Sequence, residues 1–257
     1  MPYKRYDLKN RYNSKGQKVS INTTLNAFLM FAIPVSIILI LVIGIMIAVF
    51  ARFGSLDISK DNIYDVNGYI TDKELLCVVN SRNTLSSDYV PKLKEYNSIQ
   101  VHEAAYDDLL ALEEAAKADG VSVFAVKGYV SYEDQADQYQ STLNSLMEEK
   151  GYTKTKAESE TRKICPKEGC SESQTGLLVT FAADGNQSDF ENSDAFIWLN
   201  QNAIKYGFIL RYPEGEEVET DMNYAPDVYR YVGKEHAINM RSYDMTLEEY
   251  NTHYTYD

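Results

Sequence analysis

Few residues of this chain are suited to chemistry. Its histidines are His102, His236 and His253. No two have the i, i+4 spacing of helical metal ligands. His102 falls in a charged helical segment and His253 in the terminal tail, so all three read as surface or half-buried side chains. Cys165 and Cys170 flank Pro-Lys-Glu-Gly. A local disulfide and two free thiols both fit that spacing, whereas two thiolates fall short of the roughly four ligands of a structural zinc. Cys77, alone in an apolar stretch, reads as a small buried hydrophobe. Serines, aspartates and glutamates abound, but spacing selects no Ser-His-acid triad, and most carboxylates read as a solvated face.

The elements that would position these groups can be read from periodicity and caps. Leu75 to Asn80 is a short β-type run closed by Asn and Ser. From Ile99 to Asp119, apolar residues at Val101, Ala105, Leu109, Leu112 and Ala116 predict a helix stopped by Gly120. Val121–Val126 is a strand candidate ending near Gly128. Ser131 followed by Asp134 has the form of a capping box and predicts a helix to about Glu149. Residues 150–172 read as a long polar surface loop with some helix. Leu177–Phe181 is a strand. Asn192 or Ser193 caps a helix through Trp198 to Tyr206, ended by Gly207. Phe208–Tyr212 and Val228–Val232 are further strands, and Thr246–Glu249 opens a short last helix. The mixture lacks strict βαβ alternation and predicts an α+β fold, a small antiparallel sheet flanked by helices.

Several segments, in matching order over residues 74–251, resemble the VanY-type D-alanyl-D-alanine carboxypeptidases of bacterial cell-wall metabolism. They are Leu76-Cys77-Val78-Val79-Asn80 with Tyr89-Val90-Pro91-Lys92-Leu93; Gly128-Tyr129-Val130-Ser131-Tyr132-Glu133-Asp134-Gln135; Ser171-Glu172-Ser173-Gln174-Thr175-Gly176-Leu177; Trp198 through Pro213; and Tyr229-Arg230-Tyr231-Val232-Gly233. The resemblance implies a zinc site made by a His, an Asp seven residues later and a second His. Those slots hold Ser173, Thr180 and Val228 here. The slot of the family's general-base glutamate holds Ala225, and that of its substrate-steadying arginine holds Val130. No family metal ligand is intact, so the expected zinc has no ligands here and no cofactor is expected. The retained Gln135, Ser171 and Thr175 are candidates for hydrogen-bonding a peptide in the old cleft, or for satisfying loop backbone. Tyr129, Trp198 and Tyr231 are expected in the core, and Gly176 at a close strand contact. The resemblance thus implies an inactive relative that binds a protein partner or peptidoglycan stem peptide. The alternatives are an active carboxypeptidase with a rearranged site and an envelope scaffold.

Charge and hydropathy set the expected location. No charged residue occurs from Ala27 to Ala51. At about 1.5 Å per residue, such a run crosses a bilayer core of roughly 30 Å. It exceeds the ~7–15 apolar residues of a cleaved signal peptide. Residues 1–24 carry six basic residues and one acid (+5), which leaves −18 for the rest of a chain whose net charge is −13. The positive-inside rule then places the N-terminus in the cytoplasm and the acidic remainder outside a cell membrane, in keeping with a Gram-positive bacterium. The expected organisation is a basic segment (1–24), a transmembrane helix (25–52), a linker (53–68) and an extracytoplasmic domain (69–257). An acidic outer domain with no basic stripe argues against nucleic acid.

Overall fold

The computed structural model describes residues 10–12, 18–20, 71–184 and 187–253. The expected transmembrane helix (25–52) and linker (53–68) lie outside the described residues. No described helix is long and apolar enough to cross a membrane. Contacts divide the chain into units 1–62 and 63–257. In the first, β1 (Asn10–Tyr12) pairs antiparallel with β2 (Lys18–Ser20).

The second unit is α+β, as expected. It opens with a short helix, α1 (Asp72–Leu75), held by a capping box between Thr71 and Glu74. The strand read at Leu75–Asn80 is therefore absent: the chain leaves α1 as irregular backbone. A hairpin follows, β3 (Leu93–Tyr96) and β4 (Ile99–His102). The helix expected from Ile99 begins only at α2 (Glu103–Ala118), after that strand. Its buried residues are Ala105, Leu109, Leu112 and Ala116, the face that the periodicity marked. Strand β5 (Phe124–Lys127) leads to α3 (Tyr132–Lys150), where the Ser131 hydroxyl accepts from Asp134 N at 3.1 Å. The polar stretch after it contains α4 (Lys154–Arg162).

A 3₁₀ turn (Glu172–Thr175) feeds β6 (Leu178–Ala182). Between them Gly176 has φ +68°, and a Cβ there would lie 2.9 Å from the Leu93 side chain and 3.0 Å from His102 N. Only glycine allows that left-handed turn so close to the hairpin. Helix α5 (Asp194–Asn202), capped by Ser193, and a 3₁₀ turn to Tyr206 precede β7 (Phe208–Tyr212). The short α6 (Glu217–Thr220), β8 (Ala225–Tyr231), α7 (Lys234–Tyr243) and α8 (Leu247–His253) complete the unit.

The main sheet is antiparallel with strand order β5-β6-β8-β7. Strand alternation separates its two faces. Val179, Phe181, Phe208, Tyr229 and Tyr231 face the helical core. Their rings meet edge to face, Phe181–Tyr229 at 5.5 Å and Phe208–Tyr231 at 5.2 Å. Full burial of each such side chain contributes on the order of 1.5–3 kcal/mol. Tyr231 Oη donates to Asp108 at 2.8 Å and Trp198 Nε1 to Asp119 at 2.8 Å, whereas the buried Tyr229 hydroxyl has no hydrogen-bond partner among the described residues. Tyr129, expected with them in the core, is only half-buried. The opposite face carries Thr180, Val228, Arg230 and Arg211, and there the site lies.

Candidate functional site

The sheet and the turn before it gather the sequence-distant slots. Thr180 and Val228 stand directly opposite each other on β6 and β8. Ser173 lies in the 3₁₀ turn above that face, and its carbonyl accepts from Val130 N at 3.2 Å. Ala225 begins β8, three residues before Val228. All five side chains are half-buried, neither sealed in the core nor fully in water. The Ser173 and Thr180 hydroxyls make no hydrogen bond within the described residues.

These residues do not fit a catalytic zinc. Such a site takes about three protein ligands and keeps one position for water. A neutral hydroxyl is a weak ligand, and an isopropyl group has no donor atom. Among the described residues no group of three or more His, Cys, Asp and Glu stands placed to hold a metal ion. The histidines are engaged elsewhere. His102, expected in a charged helix, is a buried N-cap whose Nδ1 accepts from Ala104 N at 3.1 Å. Burial depresses its basicity. His236 is buried between Tyr250 Oη (3.1 Å) and Asp72 (3.5 Å). His253 is exposed on α8.

The retained candidates for peptide contact are turned inward. Gln135 is 2% exposed, and its amide donates to Pro166 O at 2.7 Å and to Cys165 Sγ at 3.4 Å. Buried Ser171 caps the 3₁₀ turn by accepting from Ser173 N at 3.4 Å. The Thr175 hydroxyl donates to Glu172 O and accepts from Leu177 N. In this arrangement each satisfies loop backbone. All three cysteines are free thiols, so Cys165 and Cys170 are unbridged. Burial pushes both thiols up. Cys77, expected to be buried, is half-exposed, and its carbonyl accepts from Arg230 Nη2 at 3.1 Å.

Sequence reading missed the charged cluster beside the slots. Glu172, at 2% exposure, accepts two hydrogen bonds from Arg211, both at 2.8 Å, and one from Arg230 Nη1 at 2.9 Å. Arg211 also pairs with Glu248 at 2.6 and 3.0 Å. Arg230 Nη2 is taken up by the Leu75 and Cys77 carbonyls at 3.1 Å. Burial opposes charge on Glu172, but Arg211 and then Arg230 outweigh it and hold its carboxyl below the usual range. A signal was present in Leu210-Arg211-Tyr212 and Tyr229-Arg230-Tyr231, each with one charge amid apolar or aromatic neighbours, but not around Glu172, whose neighbours Ser171, Ser173 and Gln174 are polar.

The profile of the VanY family, described as D-alanyl-D-alanine carboxypeptidase, matches residues 98–234, more than half of the chain. This chain belongs to the VanY family. A putative carboxypeptidase, YodJ of Bacillus subtilis, is 32% identical over 195 residues, covering 69% of this chain and 67% of that one. A D-alanyl-D-alanine carboxypeptidase of Enterococcus faecalis is 33% identical over 178 residues, covering 68% and 65%. The match thus spans about two thirds of each relative. Among solved structures, VanYB in complex with D-alanine-D-alanine superposes with a TM-score of 0.65 at 32% identity, over 70% of this chain and 98% of that one. The LdcB LD-carboxypeptidase gives 0.59 at 30% identity, over 74% and 93%.

Proposed function

We propose that this chain is a non-hydrolytic member of the VanY family, anchored in a bacterial cell membrane, that binds a peptidoglycan stem peptide or a protein partner at the envelope. One observation carries the reading. The slots that hold metal, base and arginine in the resemblance are occupied by Ser173, Thr180, Val228, Ala225 and Val130, and strand register brings Thr180 and Val228 together. Without a bound metal, water keeps its high pKa and supplies no nucleophile at neutral pH. Alanine at the base position can neither take a proton nor return it to a leaving amine. Valine at the arginine position offers no donor to a developing oxyanion. When all parts of a catalytic unit are lost together, binding is what the fold can still provide.

The decisive assay incubates zinc-supplemented full chain with a D-Ala-D-Ala-terminated pentapeptide and measures free D-alanine. No release above the blank is expected; chelator-sensitive release would overturn the reading. The quintuple variant V130R/S173H/T180D/A225E/V228H should acquire about one zinc per chain by elemental analysis. A second reading, a working carboxypeptidase with a rearranged site, is favoured by the names of the relatives. It requires near-stoichiometric metal, or another nucleophile, in the unaltered chain.

A further inference from the structure

Beside edge strand β7, a cavity of about 680 Å³ opens between the Val78–Ser81 segment, the end of α4 with the loop after it, and the stretch from Arg211 to Asn223. None of the five altered slots lines it. Its size lies within the roughly 300–1,000 Å³ of small-ligand pockets. Asn223 N donates to Lys163 O at 2.9 Å and ties two of the lining segments together.

The lining is chemically divided. Arg162, Lys163 and Lys167 gather cations in a region whose net charge is strongly negative. Arg162 has no ion-pair partner among the described residues. Lys167 meets the Tyr139 ring at 5.3 Å rather than a carboxylate. Among the described residues Lys163 pairs with half-buried Glu160 at 3.4 Å. The α6 segment contributes acids, Glu217 and Asp221. Glu217 accepts one long bond from Gly215 N (3.4 Å), and Asp221 lies 3.7 Å from an exposed Arg82. Arg211 and Glu248 also reach the cavity, but Arg211 is already paired with Glu172 and Glu248. The lining also includes Tyr212, Met222 and Val218, the last 93% exposed and available for cover.

From this pattern we infer that the cavity is a binding site for a small dipolar ligand, a carboxylate and an ammonium group at the two ends of an apolar body. The carboxylate meets Arg162 and Lys167, which spend little of their charge inside the protein. The ammonium meets Glu217, and the body covers Tyr212, Met222 and Val218. Opposed charges fix orientation, and the apolar centre excludes water from both contacts. The inference is independent of whether the altered slots turn over substrate, since no residue is shared.

The test titrates the full chain with L-trialanine, N-acetyl-trialanine and trialanine amide, followed by ligand-observed NMR. The free-ended peptide should bind, and each capped form should bind at least about tenfold more weakly. R162E/K167E should abolish binding of trialanine. Both side chains are exposed, so folding should be kept, and an unchanged circular dichroism melt checks this. E217K should remove the penalty of the N-acetyl cap, because no carboxylate remains to reward the amine. Absence of binding at millimolar trialanine, or equal binding of all three forms, overturns the site. So does binding lost in V130W, which obstructs the altered slots, but kept in R162E/K167E.

Discussion

Two neighbouring regions of one sheet face differ sharply in how they use their polar groups. Glu172 is adjacent in sequence to Ser173, and Arg230 is two residues from Val228 on the same strand face. Yet Glu172, Arg211, Arg230 and Glu248 form a closed network in which every charge is met. The Ser173 and Thr180 hydroxyls make no hydrogen bond among the described residues. The ionic cluster therefore belongs to the fold and the slots do not. A buried charge that loses its partner is costly whether or not the protein is a catalyst. A half-exposed slot can change its residue with little structural penalty, and only chemistry would notice.

The sharpest way to break this contrast is Glu172→Gln. It keeps the shape but leaves buried Arg230 with no carboxylate, while Arg211 keeps only Glu248. A loss of about 3–5 kcal/mol is expected, read as a drop in the urea midpoint with unchanged slope. A loss under about 1 kcal/mol would mean that water reaches the cluster and that it is not a structural core. A milder probe is acid. The folded-state carboxyl of Glu172 is held below its ordinary value, so the unfolded chain binds a proton more readily than the folded one. The stability that the cluster contributes should be fully present above the ordinary glutamate pKa of about 4.3. It should fall as pH drops through the lower folded value. Melting curves from pH 6 to 3 should show that loss, and E172Q should show a smaller acid slope. The least effect belongs to the slots. Ser173→Ala and Thr180→Val should each shift stability by less than about 0.5 kcal/mol. A larger change would reveal an internal role for these hydroxyls and erase the distinction.

Local signals were legible where a side chain announces its own boundary. Ser131 with Asp134, Ser193 before α5, and Gly207 after the following turn marked ends that the structure keeps, because capping is a short-range hydrogen-bond problem. The β7 limits, Phe208–Tyr212, matched throughout. The errors arose where tertiary partners override local pattern. Leu75–Asn80 reads as a strand by composition, but its backbone is drawn off to serve Arg230: the Leu75 and Cys77 carbonyls accept from that guanidinium. Ile99–His102 continues the helical period of α2, but pairing with Leu93–Tyr96 takes it as a strand. Short apolar runs fit either state, and long-range pairing decides. The candidate site divides in the same way. Motif order picks out Ser173, Thr180, Val228, Ala225 and Val130 as a set, and the fold adds the pairing of Thr180 with Val228; the inward turn of Gln135 and Thr175 was not legible, since an amide or hydroxyl carries no mark of which partner it will meet.

By itself, the sequence determined which donor atoms stand at positions 130, 173, 180, 225 and 228, because donor atoms are a property of residue type: valine and alanine side chains have none wherever they are placed. The tertiary structure alone decided which charges are paired. Glu172 and Arg230 are 58 residues apart, and only the closing of β6 against β8 brings their opposite charges into the same dry space, where each makes the other tolerable.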